Sequence, residues 1–519
     1  MGCTSTTVEL KAAQADCLLT KWKHIRPDII HKIITAETVK DELPPTWGRR
    51  LIPCWDWELE HKVQRASKVI AILVLLDRHD YIDVLLKDGL IDDHLPLVKD
   101  GDCLRSQCGE KKFKSFDTCR GSGNFANMFL ETQWAVWAPI LDFKAGNLTP
   151  INLQPSSTLP FDYTLVDTTD YSTVYKGTLW PLHYKGIKVT PHSEVCIAIK
   201  QFKDGPIADK TRHYREELAN LKLIQMIEDE HLSKPLACCE QARSIFFPWA
   251  DGGDLWGFWE LNGPHELQRT PDTFLWVLQQ ITGLTQALEL IHQAKTRHGD
   301  LKPSNILHFN YGTTKLGTLK IADFGVSRTH RMETDLRETP TITKASTFMY
   351  EAPEAHNSFK DLQSRSRKYD CWSMGCIMLE FVIWLLYNRT AIISCLNQRD
   401  PPHHEYYRPI AGSDPKSQAI EDAMEGHPVV NRAVEEMEKH IWYENTAMEA
   451  IVKLVQSGLL KIKPEERLGA SDTHKALQAI LAAAQKDLSP FTKEVDPTLP
   501  VPLIFGQPAP KTSIQATYQ

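Results

Sequence analysis

The sequence predicts an α+β protein: a mostly helical N-terminal region, then a small sheet, then a larger helical part. Three observations carry that prediction. From Thr7 to about Asp80 apolar residues recur at three- and four-residue spacing, the period of an amphipathic helix. From Phe161 to Phe202 the texture changes to alternating, β-rich runs, which read as strands. Beyond Leu255 helical patterns dominate until about Lys486.

Taken in order, the first long helix is "DWELEHKVQRASKVIAILVLLDR", started by a cap at Asp56. Loops follow, then a second amphipathic stretch, "NMFLETQWAVWAPIL", from Asn127 to Leu141. The proline-containing "TPINLQPSSTLP", Thr149 to Pro160, reads as a linker. Three strands come next: "FDYTLVDTT", "STVYKGTLW" and "EVCIAIKQF". The end, "DPTLPVPLIFGQPAP" onward, is proline-rich and expected to be extended or disordered. The expected division is a helical region over 1–155, a folded domain over 156–486 and a tail over 487–519. No internal repeat is visible.

Composition narrows the function classes. Of 519 residues, 42% are hydrophobic and 24% charged, ordinary values for a chain able to bury a full core. A net charge of −7 leaves no general nucleic-acid footprint. The twelve cysteines show no paired metal spacing and read as reduced thiols. The apolar run Val69 to Leu76 is too short to cross a bilayer, and no secretory core opens the chain. A cytoplasmic protein is expected. "MGCTST" fits an N-myristoylation pattern, with Gly2 as acceptor and Thr6 at the hydroxyl position. Cys3 is a candidate for a second acyl chain. No polybasic stretch follows, so a membrane partner is expected only if Gly2 and Cys3 are lipidated.

The chemistry lies in a series of motifs. "IAIK" ends at Lys200, "RHGDLKPSNILHFN" spans Arg297 to Asn310, and "ADFG" contains Asp323. "TFMYEAPE", "YDCWSMGC" and "PEERLGA" follow. In this order and at these spacings the chain resembles the eukaryotic protein kinase family, Ser/Thr type, over roughly Pro160 to Lys486. The resemblance implies the two-lobed protein kinase fold, with a small antiparallel-sheet lobe and a larger helical lobe. The helical N-terminal region loosely resembles extensions that precede kinase domains in filamentous fungi, which names no function.

The resemblance also implies roles. Lys200 would hold the α- and β-phosphates of ATP and pair with Glu217; Glu216 is the competing neighbour, and the Glu217-Leu218-x-x-Leu221 pattern favours Glu217. Val174, Ala198 and Leu307 would sandwich the adenine. Phe247 would guard the back of its pocket, with Trp249 and Ala250 offering hinge amides; Pro248 has none. Asp300 would be the catalytic base and Lys302 would steady the transferring phosphoryl group. Asn305 and Asp323 would ligate Mg²⁺, with Mn²⁺ as a substitute. Thr347 would help place the substrate residue, Glu354 would pair with Arg467, and Asp370 would brace the catalytic loop. Protein substrates and ATP are the partners implied; oligomeric state is unreadable.

Two departures stand out. The three phosphate-loop glycines are replaced by Asp167, Thr169 and Ser172, where side chains should hold the loop off and Asp167 adds a like charge. The sequence "GSGNFANM" from Gly121 mimics the motif but lies too far ahead of Lys200. Gly299 stands where an arginine commonly reads an activation-loop phosphate, so activity is expected not to depend on phosphorylation at Thr341, Thr343 or Ser346. Two readings stay open: an active Ser/Thr kinase, favoured by the retained residues, and a pseudokinase scaffold, favoured by the loop. A small-molecule kinase is a distant third.

Overall fold

A computed structural model describes residues 5–18, 23–42, 55–101, 103–107, 109, 111–116, 123–143, 148–151, 157–169, 171–187, 194–203, 207–263, 267–310, 316–324, 348–355, 366–400, 405–412, 423–492 and 502–506. The chain divides into two compact units. The first joins the N-terminal region up to Val166 with Val174–Gln201 and Leu236–Phe246. The second joins Asp167–Thr173, Phe202–Pro235 and the chain from Phe247 onward.

In the first unit the helix Ser67–Leu75 is buried from Val69 to Val74, as expected for an all-apolar helix used as a core element. The expected single long helix is broken: Trp55–Arg65 ends, Ala66 interrupts, and Ser67–Leu75 begins. The break has a tertiary cause. The Asp92 carboxylate accepts the N–H groups of Lys68 and Val69 and the Ser67 hydroxyl at 3.0–3.1 Å, capping a new N-terminus from a distant segment. Asp56 lies inside Trp55–Arg65 rather than ahead of it. The stretch expected to be loop contains a three-stranded antiparallel sheet, Leu97–Asp100, Cys103–Ser106 and Lys112–Phe113. Gln133 ties the next helix to it, accepting from Leu97 N at 2.7 Å and donating to Leu97 O at 3.1 Å.

The six-stranded sheet follows the order Thr149–Pro150, Ala237–Cys239, Ser244–Pro248, Cys196–Phe202, Ser172–Leu179, Phe161–Thr168. The three strands read from sequence are present. The linker is not simply a linker, because Thr149–Pro150 pairs parallel with Ala237–Cys238 and covers that edge. Leu141–Asp142 likewise pairs parallel with Tyr184–Lys185. Leu141 and Phe143 share a core with Ile197, Ile199, Ala237 and Phe246, so the N-terminal region is built into the sheet. Asp162 completes the junction, accepting from Arg26 at 2.7 Å and from the Trp180 indole at 3.3 Å.

The second unit is organised on the helix Lys368–Leu386, buried from Tyr369 to Leu386. Among the described residues it is the one helix long and apolar enough to cross a membrane, and here it is a core helix. Pro271–Gln293, capped by Thr270, packs against it and against Ala470–Lys486. The tail region contains ordered contacts: Phe491 stacks on Phe274 at 4.1 Å, and Phe505 lies 4.4 Å from the Tyr387 ring.

Candidate active site

In the first unit the strand period of two sorts the candidates by face. Ile197 and Ile199 point into the core, so Ala198 and Lys200, half-buried, share the opposite face. On the neighbouring strand a Cβ on Gly177 would stand 2.8 Å from Ile199 Cδ1. Gly177 therefore faces the core, and Val174, an odd number of residues away, faces the Ala198–Lys200 side. Glu217 belongs to the second unit, in the helix Ile207–Gln225, and is 2% exposed.

The rest of the second unit's candidates surround one hairpin. Phe247 is the penultimate residue of the strand Ser244–Pro248, and Trp249 and Ala250 follow that strand, all three half-buried. Gly252 N donates to His308 O at 3.1 Å and His308 N to Gly253 O at 2.8 Å, which sets Leu307 beside Asp254. Gly252 is required by this approach, since a Cβ would meet His308 Nδ1 at 1.9 Å.

The loop that carries Asp300 is suspended from the buried Asp370 of the core helix. Its carboxylate accepts His298 N at 2.9 Å, Gly299 N at 2.7 Å and His292 Nε2 at 2.9 Å. Burial alone would raise the Asp370 pKa; the hydrogen bond and charge of His292, with His298 and the Gly299 amide, outweigh it and hold the carboxyl below its ordinary value. Gly299 takes φ +82°, open to glycine and strained for other residues. His298 Nε2 faces Ala322 O at 2.8 Å while its Nδ1 faces Asp300 N at 3.3 Å. The imidazole therefore carries its proton on Nε2.

Asp300 is held from two sides. Lys302 Nζ lies 3.1 Å from Asp300 Oδ2. Asn305 Nδ2 donates to Asp300 O at 2.7 Å and Oδ2 at 3.2 Å. The hairpin of Ile306–Phe309 and Thr318–Ile321 then returns the chain, and Ala322 N donates to Asn305 O at 2.9 Å. Asp323 follows, exposed and at φ +59°, a left-handed conformation aspartate tolerates and that recurs at functional sites. Phe324 is buried, and its carbonyl accepts from Asn220 Nδ2 at 3.3 Å. The donor set suits Mg²⁺: the Asn305 NH₂ is occupied by Asp300, which leaves its oxygen, and Asp323 offers an exposed carboxylate. Among the described residues no cluster of three His, Cys, Asp or Glu side chains is arranged to hold a metal.

Glu354 and Arg467 are brought together, with bonds of 2.8 and 3.1 Å, and Arg467 is 1% exposed. Gly2, Cys3, Gly325, Thr341, Thr343, Ser346 and Thr347 lie outside the described residues. Sequence reasoning missed His292, a lone histidine whose partner Asp370 is 78 positions away, and Lys203, which donates to the carbonyls of Tyr171 and Thr169. No local pattern marks either one.

The sequence profile of the protein kinase domain family matches residues 184–478, more than half of the chain and beginning after the glycine-free loop. The "Probable cyclin-dependent kinase 8" of Dictyostelium discoideum is 29% identical over 216 residues, 40% of this chain and 52% of that protein. The "Mitogen-activated protein kinase HOG1A" of Wallemia ichthyophaga is 30% identical over 203 residues, 36% of this chain and 48% of that one. The "Mitogen-activated protein kinase 8" of Arabidopsis thaliana is 28% identical over 269 residues, 47% and 41% of the two chains. The chain thus spans about half the length of these curated relatives. It belongs to the protein kinase family and has the family's α+β, two-lobed fold.

Proposed function

We propose that the chain is a Ser/Thr protein kinase that transfers the γ-phosphate of MgATP to a protein hydroxyl. The observation that carries this reading is the fixed Asp300–Lys302–Asn305 constellation, suspended from Asp370 and followed by an exposed Asp323. In the proposed step Asp300 orients the substrate hydroxyl and takes its proton. The hydroxyl oxygen bonds to the γ-phosphorus as the β–γ bridging P–O bond breaks, and ADP leaves with the electron pair. Lys302 steadies the charge on the transferring group, and Lys200 holds the α- and β-phosphates. Val174 and Ala198 in the first unit, and Phe247, Trp249, Ala250 and Leu307 in the second, are the adenine-contact candidates that the family resemblance supplies. Asn305 and Asp323 would hold Mg²⁺, which would supply neutralising charge to the phosphates.

The rival reading, a pseudokinase scaffold, rests on the glycine-free loop. Purified protein with labelled ATP, Mg²⁺ and a basic protein substrate separates the two, beside an Asp323→Asn control. Transfer that disappears in the control supports the kinase. No transfer, even with Mn²⁺ at high ATP, favours the scaffold. Acylation at Gly2 and Cys3 is a separate proposal supported only by the opening residues. An N-terminal peptide of unmodified mass, from protein made in a eukaryotic host, would remove it.

A further inference from the structure

The glycine-free loop forms a compact turn through its own side chains. Thr169 N donates to Ser172 O at 2.8 Å. Thr169 Oγ1 accepts from Ser172 N at 3.1 Å and from Tyr171 N at 3.3 Å, and lies 3.2 Å from Ser172 O. Thr168 N donates to Asp167 Oδ1 at 2.7 Å. Lys203, just past the strand Cys196–Phe202, anchors the turn: its N donates to Tyr171 O at 2.9 Å and its Nζ to Thr169 O. His213 lies 5.1 Å from the Tyr171 ring. All these residues belong to the second unit; Asp170 lies outside the described residues.

The residues at the former glycine positions therefore do more than add bulk. A phosphate loop works by aiming backbone N–H groups at phosphate oxygens. Here the amides of Thr168, Thr169, Tyr171 and Ser172 already have acceptors inside the loop, and two of those bonds end on one hydroxyl.

We propose that Thr169 sets the nucleotide affinity of this protein, its hydroxyl occupying the Tyr171 and Ser172 amides in place of a phosphate oxygen. The proposal rests on the ATP site inferred above and names the residue that tunes it. A phosphate is a charged and stronger acceptor than a hydroxyl, so MgATP displaces Thr169 Oγ1 at the cost of two neutral bonds. Affinity is lowered, and the bound state is reached with the same loop.

The test separates hydroxyl from bulk in the full-length protein. Thr169→Val keeps the branched shape and removes the acceptor; Thr169→Ser keeps the acceptor and removes the methyl. The expected result is a KM for ATP about five-fold lower in Thr169→Val, with kcat little changed, and a wild-type KM in Thr169→Ser. A KM that falls in Thr169→Ser but not in Thr169→Val assigns the effect to bulk and overturns the proposal. So does a KM unchanged or raised in Thr169→Val.

Two readouts keep this independent of the kinase reading. In nucleotide-free protein the Tyr171 and Ser172 amides should exchange with solvent faster in Thr169→Val than in wild type; equal exchange overturns the hold. If wild type neither transfers phosphate nor gains thermal stability with MgATP, the kinase reading fails on its own. MgATP stabilisation gained by Thr169→Val then supports the role of Thr169, and none gained refutes it.

Discussion

At the scale of the residue, the catalytic loop shows what a single letter does. Gly299 sits at φ +82° with its amide on Asp370, so the backbone turn beside Asp300 carries no side-chain strain. Gly299→Ala should lower stability by about 1–2 kcal/mol and reduce kcat more than KM, because the strain lies next to the proposed base; denaturant unfolding and steady-state kinetics read the two effects. With no guanidinium at this position, phosphatase treatment should leave activity unchanged, and a large loss would refute that expectation. Asp300, Lys302, Asn305 and Asp323 were legible because their spacing is local: one loop and one hairpin carry all four. His292 was not, because its meaning depends on an aspartate brought in by another helix.

At the scale of the element, the helix Lys368–Leu386 holds the catalytic loop at one end and a buried network further along. Arg467, nearly inaccessible, makes two bonds to Glu354 and also donates to the carbonyls of Lys368 and Lys461. Glu354→Ala leaves that guanidinium without its carboxylate and should cost about 3–5 kcal/mol, measured by chemical unfolding. Glu380 accepts the hydroxyls of Tyr350 at 2.8 Å and Tyr406 at 2.7 Å, with Arg399 at 4.0 Å. Burial dominates there and pushes the carboxyl from its ordinary 4.5 up to about 7, against the pull of Arg399 and the two tyrosines. Across the window from 4.5 to about 7 the folded state keeps a proton that the unfolded chain has lost. Stability should therefore fall as pH rises through that window, by up to about 3 kcal/mol. Glu380→Gln should remove this part of the slope in Tm against pH; an identical slope in the variant would count against the buried-acid account. The long helices and the three strands from Phe161 to Phe202 were readable from periodicity, but the short sheet within 97–113 and the break at Ala66 were not, the latter because its cap, Asp92, is remote in sequence.

At the scale of the whole molecule, the N-terminal region is a structural part of the sheet rather than an appendage. It supplies the strand Thr149–Pro150 on the edge of Ala237–Cys239, the buried Leu141 and Phe143 and the Arg26–Asp162 pair. Removing residues 1–155 would bare that edge and empty two core positions worth roughly 1.5–3 kcal/mol each, with an unpaired strand edge that invites aggregation. Residues 156–519 should accordingly be recovered insoluble or with a markedly lower Tm than the full chain, and a soluble truncation of equal Tm would show the two parts to be separable. The sequence by itself determined the fold class, the candidate residues Asp300, Lys302, Asn305 and Asp323 and the missing glycines, because helical and strand periods and short motifs are encoded within a few neighbouring residues. Only the tertiary structure decided that the supposed linker opens with an edge strand, Thr149–Pro150, that His292 joins the Asp370 anchor, and that Lys203 bonds to the turn around Thr169. Those facts depend on hydrogen bonds and burial between residues that only the folded chain brings into contact.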